Sequence, residues 1–491
     1  MYHDSSSFSG LASRPTAEKL AECFARCADY TERRIAAGLD ASQRLCLCWL
    51  DGLVSGPETA ETLIRPLTEF WRAAENTGAL REHLLSGAVT AWSARPCPDT
   101  DAAADAVARG CVVLLLPEGG ALSFELRAEI GRSVCEPTLE KSVKGAKDSF
   151  TETLRVNTAL VRRRLATPEL KLAEAEIGRR SKTKTALLYL EGVADPALIG
   201  ALARKLDDLD IDALLSLGPL EEALSAAPRS PFPQLLHTER PDRFAMHLSD
   251  GRAGLLIDGL PVGLILPATL AEFMKVTGDR SQHFLVSSAL SLLRWFALML
   301  ALLLPGLYVA LAVYHQEMLP TKLLLSLIEA KQKVPFATAL EVLGMMLAFL
   351  MLQEAGLRLP GPLGDTVSII GALIVGQAAV EARLVSPIAI IVVATAGICC
   401  YTLPSQDLAA ALRLWSMALL LAAALAGLFG VALGGCLLLW HLAGIDSFGR
   451  SYTAPLSEDG PGLRRALLRR PMAARKWRDA LLKTPDRRRQ A

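Results

Sequence analysis

Between residues 295 and 314 the chain reads WFALMLALLLPGLYVALAVY, twenty residues with no Asp, Glu, Lys, Arg or His among them. As a helix rising 1.5 Å per residue, such a run covers about 30 Å, the thickness of bilayer hydrocarbon. A membrane is therefore part of any structure the chain adopts. Residues 384–404 and 414–440 are equally free of charge. The last run is overlong at about 40 Å, and Gly427, Gly430, Gly434 and Gly435 allow it to bend or to pack closely. Two shorter apolar stretches follow the first run: 342–353, bounded by Glu341 and Glu354, and 366–380, between Asp365 and Glu381.

What precedes these runs reads as soluble protein. The start, MYHDSSSFSGLASRPTAEKL, holds no apolar core of signal-peptide length, which predicts that the first 280 residues stay in the cytoplasm. Net charge is +1, yet residues 464–491 carry eleven Lys/Arg against Asp479 and Asp486. A tail this basic is retained on the cytoplasmic side and attracts anionic headgroups; a nucleic-acid arm is the competing reading. Two cytoplasmic ends require an even number of crossings. Four are expected, with 366–380 crossing and 342–353 lying in the interface or re-entering. Lys322, Lys331 and Lys333 then fall in an outer loop, against the usual charge bias.

The fold class expected is mixed: a cytoplasmic α/β (α+β) soluble domain of two subdomains, followed by an α-helical polytopic membrane domain. The division runs 1–105, mainly helical; 106–283, α/β; 284–456, four to six spans; 457–491, a basic cytoplasmic tail. Cys111 to Leu116 is a β-rich run that turns at Pro117-Glu118-Gly119-Gly120 and returns over 121–127. Gly254 to Ile257 leads into Asp258-Gly259, a tight-turn pair, and Val262 to Leu266 comes back. Both units carry Gly before the first strand and at the turn, which points to two related subdomains. Thr185–Leu190 reads as a buried strand, and 196–209 as a helix with Asp195 as N-cap and Pro196 at the first position.

Chemistry is sparse. A P-loop, a nucleophile elbow and a zinc-protease helix are all missing, and the seven histidines form no pair at ligand spacing, so neither catalysis, cofactor nor metal is expected. Cys23, Cys27, Cys46 and Cys48 lie close in sequence, on stretches that read as helical, without a C-x-x-C; buried thiols are favoured over a metal or redox site. Residues 140–184 hold twelve Lys/Arg against six acids with few aromatics, a solvated face or subunit interface rather than a strand-binding platform. In Thr238–Arg243, Pro241 bars Arg240 from helical geometry, Asp242 is placed to cap the helix that follows, and Glu239 faces Arg240 or Arg243 as an ion-pair clasp. Residues 366–380 combine small residues with Ser368 and Gln377, and end in Glu381 and Arg383. Copies around an axis would line a narrow pore: Val367, Ile370 and Ile374 form a constriction that gates by dewetting, with Ser368, Gly371 and Gln377 beside it. Glu341 and Glu354, near segment ends, are expected to reach headgroups.

Several stretches carry a family look: PFPQLLHTERPDRFAMHLSDGRAGLLIDG (231–259), FTETLRVNTALVRRRL (150–165), GRRSKTKTALLYLEGVADP (178–196), LYVALAVYHQEMLPTKLLLSL (307–327), VSIIGALIVGQAAVEARLVSP (367–387) and SFGRSYTAP (447–455). Over roughly residues 130–456 the chain thus resembles the A subunit of the spore germination receptors, the GerA family. The resemblance implies a ring-forming subunit, plausibly a pentamer, in the spore inner membrane, with its soluble domain and tail facing the core. It implies two partners, a transporter-like B subunit that binds the germinant and a lipoprotein C subunit, and ion release through an A-subunit pore. A non-conducting scaffold similar to stage V sporulation protein AF is the alternative.

Overall fold

The computed structural model describes residues 14–35, 45–73, 77–87, 94–117, 119–128, 137, 140, 144–332, 334–358, 376–457 and 461–490. It divides into two compact units: 1–225 with 235–267 and 475–491, and 226–234 with 268–474.

The first unit is built twice from one plan. Its elements are β1 (Tyr30–Ile35), β2 (Leu45–Leu50), β3 (Ala94–Cys97), α1 (Thr100–Ala108), β4 (Val112–Leu115) and β5 (Ala121–Phe124). Then come α2 (Leu154–Arg164), β6 (Leu170–Ile177), β7 (Thr183–Leu190), α3 (Pro196–Asp207), β8 (Leu236–Thr238), α4 (Pro241–Ser249), β9 (Ala253–Ile257) and β10 (Gly263–Leu266). The strands form two five-stranded sheets, β1-β2-β4-β5-β3 and β6-β7-β9-β10-β8, with antiparallel pairing throughout. The two orders are the same. The hairpins expected around 111–127 and 254–266 occupy the same place in each, as β4-β5 and β9-β10.

The region 1–105, expected as mainly helical, holds the helices Ala17–Cys23, Gly56–Thr59, Arg65–Ala73 and Thr77–Leu85, and it also supplies β1, β2 and β3, three of five strands of the first sheet, which the sequence reading did not foresee. β2 misled because it is buried on both faces, so LCLCWL shows no alternation of apolar and polar residues. Its core is Leu45, Leu47, Val112, Leu114, Leu122 and Phe124, covered by Leu63, Leu67, Trp71, Leu80 and Leu84 from the helices between β2 and β3.

A buried ion pair ties the two halves. Arg162 of α2 donates to Asp29, just ahead of β1, at 2.5 and 2.7 Å, and to the Leu170 carbonyl at 3.1 Å. Both side chains are 1% exposed. The basic stretch 140–184 is largely paired within the unit: Arg155 meets Asp51 and Glu174, Arg164 meets Asp148, Arg179 meets Asp210 and Arg180 meets Asp212. The C-terminal residues 475–490 are not a free arm either. Arg478 donates to the Ser249 carbonyl, Arg489 pairs with Asp250 at 2.9 Å, and Leu482 and Thr484 are buried.

The second unit holds α5 (Phe284–Val313), α6 (Thr321–Lys331), α7 (Thr338–Arg358), α8 (Pro387–Tyr401) and α9 (Gln406–Ala443). Among the described residues three helices are long and apolar enough to cross a membrane: Phe284–Val313, Thr338–Gly356 and Gln406–Ala443. Stretch 342–353, expected in the interface or re-entering, lies inside α7, which is long and apolar enough to cross. Glu341 and Glu354, read as its boundaries, are both within that helix.

The run 414–440, expected as a single overlong span, is folded back on itself. Gly427 has φ 61° and ψ −140°, values that break the helix and that glycine adopts without a Cβ clash. Two arms, 406–426 and 428–443, then run antiparallel. A Cβ on Gly430 would stand 2.0 Å from the Ala422 carbonyl oxygen, and the rings of Trp415 and His441 lie 5.8 Å apart. In a straight helix those rings would be about 39 Å apart.

Candidate functional site

The clasp region exists, but with different partners. Pro241 occupies the first position of α4, so Arg240 becomes the residue at its N-cap. Asp242 therefore sits two residues past the N-cap of α4; its Oδ1 accepts instead from the Arg243 N–H at 2.9 Å. Arg240, 1% exposed, donates to both Asp242 oxygens at 2.9 and 2.7 Å and to the Glu140 carbonyl. Arg243 pairs with the Glu140 carboxylate at 2.6 Å, and the Thr238 hydroxyl donates to the same carboxylate. Glu239 contributes its backbone carbonyl, which accepts from Phe150 N–H at 2.7 Å. Burial alone would raise the Asp242 carboxyl, but the hydrogen bonds and charge of Arg240 hold it below its ordinary value. Glu140, distant in sequence, is the partner that local reading missed.

Behind the clasp, Asp258 of the β9-β10 turn accepts from Leu154 N–H at 2.9 Å, so the turn caps α2. Phe244 of α4 lies against two strand glycines. A Cβ on Gly254 would meet its ring at 2.1 Å, and one on Gly263 at 2.7 Å. Clasp, turn and helix are thus one packed block.

Within the second unit a different group is buried. Glu341, in the first turn of α7, is 3% exposed and accepts from the backbone N–H of Ser386, the N-cap residue of α8. It does not reach outward as a headgroup-seeking side chain. Among the described residues its second oxygen has no hydrogen-bond partner. A carboxylate at a helix N-terminus meets the positive end of the helix dipole, so Glu341 joins α7 to the start of α8. The signal was present in sequence: Ser386-Pro387 is a helix-start pair. Glu354 is exposed.

The remaining candidates separate. Val367, Ser368, Ile370, Gly371 and Ile374 lie outside the described residues. Residues 376–381 are helical, and Gln377, Glu381 and Arg383 are exposed. Arg383 has a left-handed φ of 59°, ending that helix before Ser386. Cys46 and Cys48 lie on β2, not on a helix, with their sulfurs 3.7 Å apart, while Cys27 donates to the Leu170 carbonyl. The shared hydrogen bond and burial raise the Cys46 thiol. Among the described residues no group of three His, Cys, Asp or Glu could hold a metal.

One contact joins the linker 226–234 to the hairpin. Phe232, 2% exposed, sits 6.5 Å from Trp415 and 6.0 Å from His441 between ring centroids, and Ser230 hydrogen-bonds the His441 ring at 2.8 Å. The open ends of both hairpin arms therefore meet the short segment that leads into β8.

Known proteins are similar to this chain in sequence. Residues 18–481 match the Bacillus/Clostridium GerA spore germination protein family. The chain is 36% identical over 441 residues to an uncharacterized membrane protein, YfkQ, of Bacillus subtilis (strain 168), covering 88% of this chain and 83% of that one. It is 34% identical over 435 residues to spore germination protein B1 of the same organism, covering 88% and 89%. A solved structure, the N-terminal domain of the A subunit of the Bacillus megaterium spore germinant receptor GerK3, aligns at 25% identity with a TM-score of 0.41, over 53% of this chain and 98% of that one.

Proposed function

Because this chain belongs to the GerA spore germination protein family, we propose that it is the A subunit of a germinant receptor and forms a nutrient-gated ion channel in the spore inner membrane. Its role in germination follows from that membership. Conduction rests on a single observation about helix direction. Val342 of α7 and Ala389 and Val393 of α8 share one cluster with Val309 and Ala310, near the end of α5. Farther along, Gln353 of α7 bonds Arg413, and Cys400 of α8 bonds the Ala409 carbonyl, both near the start of α9. The two helices α7 and α8 thus run the same way, which supports a reading with one more crossing between them. In this reading residues 366–380 supply that crossing, with Val367, Ile370 and Ile374 as the gate and Ser368, Gly371 and Gln377 beside it.

Counting α5, α7, the return, α8 and two hairpin arms gives six crossings. Six is even, so the soluble half and the chain beyond α9 face the same compartment, the spore core. A homo-oligomeric ring of five copies surrounds the pore. A transporter-like B subunit binds the nutrient and a lipoprotein C subunit completes the receptor. Nutrient binding favours one of two ring states, and in this reading the shift reaches the gate through Glu341, which ties α7 to the start of α8, just beyond the pore segment.

The test is potassium and sodium efflux from liposomes holding this chain with its co-expressed partners, beside an Ile374→Ala version. Efflux on adding nutrient, and a constant leak from Ile374→Ala, is the expected result. Silence in both, from an intact and correctly oriented complex, removes the channel. It would leave the second reading, a non-conducting scaffold similar to stage V sporulation protein AF, which the likeness to a membrane protein of no stated activity also accommodates.

A further inference from the structure

A narrow, partly open cleft runs among the helices of the second unit. Its body is apolar: Ala301 of α5, Met346 and Leu350 of α7, Val393 and Ala396 of α8, and Leu412 of α9 line it. Its polar residues are gathered at one level. Arg413 is seven residues into α9, about 10 Å from its start. Gln353 lies five residues from the end of α7, and Tyr401 is the last residue of α8. One end of the cleft is therefore polar and the rest is hydrocarbon.

The polar end is incompletely satisfied. Arg413 donates from Nη1 to Gln353 at 2.7 Å, a neutral acceptor. Among the described residues no carboxylate pairs with it, and its Nε–H is buried without an acceptor. One turn on, Ser416 is 2% exposed, and among the described residues its hydroxyl also has no partner. An arginine among apolar helices is costly unless an anion meets it, and a buried donor left unmet carries its full desolvation penalty. Both donors edge the same cleft. Lipid is the one source of anions with a long apolar tail that surrounds such a bundle on every side, and basic pockets between spans are a known way of holding anionic headgroups.

We infer that this cleft holds one anionic phospholipid, its phosphate on Arg413 Nε and Ser416 Oγ and an acyl chain between α7, α8 and α9. Its polarity matches that of such a lipid end to end. The proposal does not depend on conduction.

Native mass spectrometry of the full chain with its co-expressed partners tests this, after equilibration in mixed micelles with phosphatidylglycerol, phosphatidylcholine, palmitate or inorganic phosphate. Phosphatidylglycerol should remain at about one per chain and exceed phosphatidylcholine at least tenfold. Arg413→Gln should lose that preference, and Arg413→Lys should keep most of it. Ala396→Leu, which narrows the apolar part and leaves the polar end alone, should lower retention with Arg413 intact. Equal retention of both lipids, saturation by palmitate or phosphate, or unchanged retention in Arg413→Gln would each overturn the proposal. If Arg413→Gln does not fold, Ala396→Leu decides: undiminished retention there rejects the site.

Discussion

The two halves of the first unit share a strand order and reach it by opposite packing. In the first half, α1 reads TDAAADAVA and buries Ala103, Ala104, Val107 and Ala108. The small residues are on the helix, and the strands behind it keep ordinary side chains such as Val113, fully buried. In the second half the small residues are on the strands. Gly254 and Gly263 form a shelf, and α4 places the Phe244 ring on it, edge-on to Phe150 at 5.5 Å between centroids. The helix–sheet gap is filled either way. Connectivity is thus indifferent to which side supplies the bulk, provided the volumes add up to a packed interior. The second half spends its bulk where the clasp lies, which stiffens α4 against β9 and β10.

The largest effect on this pair should come from removing what they share. Asp29→Ala strands Arg162 as an uncompensated buried charge, and breaking such a pair costs about 3–5 kcal/mol. Denaturation of the soluble half should show this, and loss of a single cooperative transition would show that the pair alone couples the halves. Exchanging the packing solutions is the next test. Gly254→Ala should cost about 1–3 kcal/mol through overpacking, and Ala104→Leu a similar amount in the other half. Adding Phe244→Leu should recover part of the first loss and none of the second. Additivity in both would break the comparison.

The smallest effect is in pH. Asp242 titrates below its ordinary value of 3.8 because Arg240 outweighs burial. A lowered carboxyl stabilises the fold above the ordinary value, and the contribution fades as pH falls through the lowered one. Partial exposure screens the pair, so the loss is on the order of 1 kcal/mol. Hydrogen exchange of α4 should be unchanged between pH 7 and 5 and should quicken below about pH 4, ahead of any change in α1.

How much of this was legible in the sequence follows from what a local pattern can encode. The hairpins β4-β5 and β9-β10 announced themselves because Gly and Asp-Gly punctuate short apolar runs. Helix α3 was readable from Asp195 and Pro196, and the Asp195 side chain does accept from Ala197 N–H. By contrast β1, β2 and β3 were missed: burial on both faces erases the period of β2, and Pro96 sits inside β3. Within the clasp, Arg240 and Arg243 were recognised, but Glu140 stands about a hundred residues away and only the fold brings it near. Glu341 was noticed and given the wrong surroundings, since hydropathy averages a carboxylate into a boundary and cannot see the helix start it caps.

The turn at Gly427 has a practical consequence for mapping the chain's sidedness. Hydropathy scores 406–443 as one continuous segment, so it assigns opposite compartments to the two flanks. The antiparallel arms return the chain to its level of entry. Enzyme reporters fused just before Gln406 and just after Ala443 should therefore give the same compartment signal, and opposite signals would mean that the break at Gly427 is straightened in the bilayer.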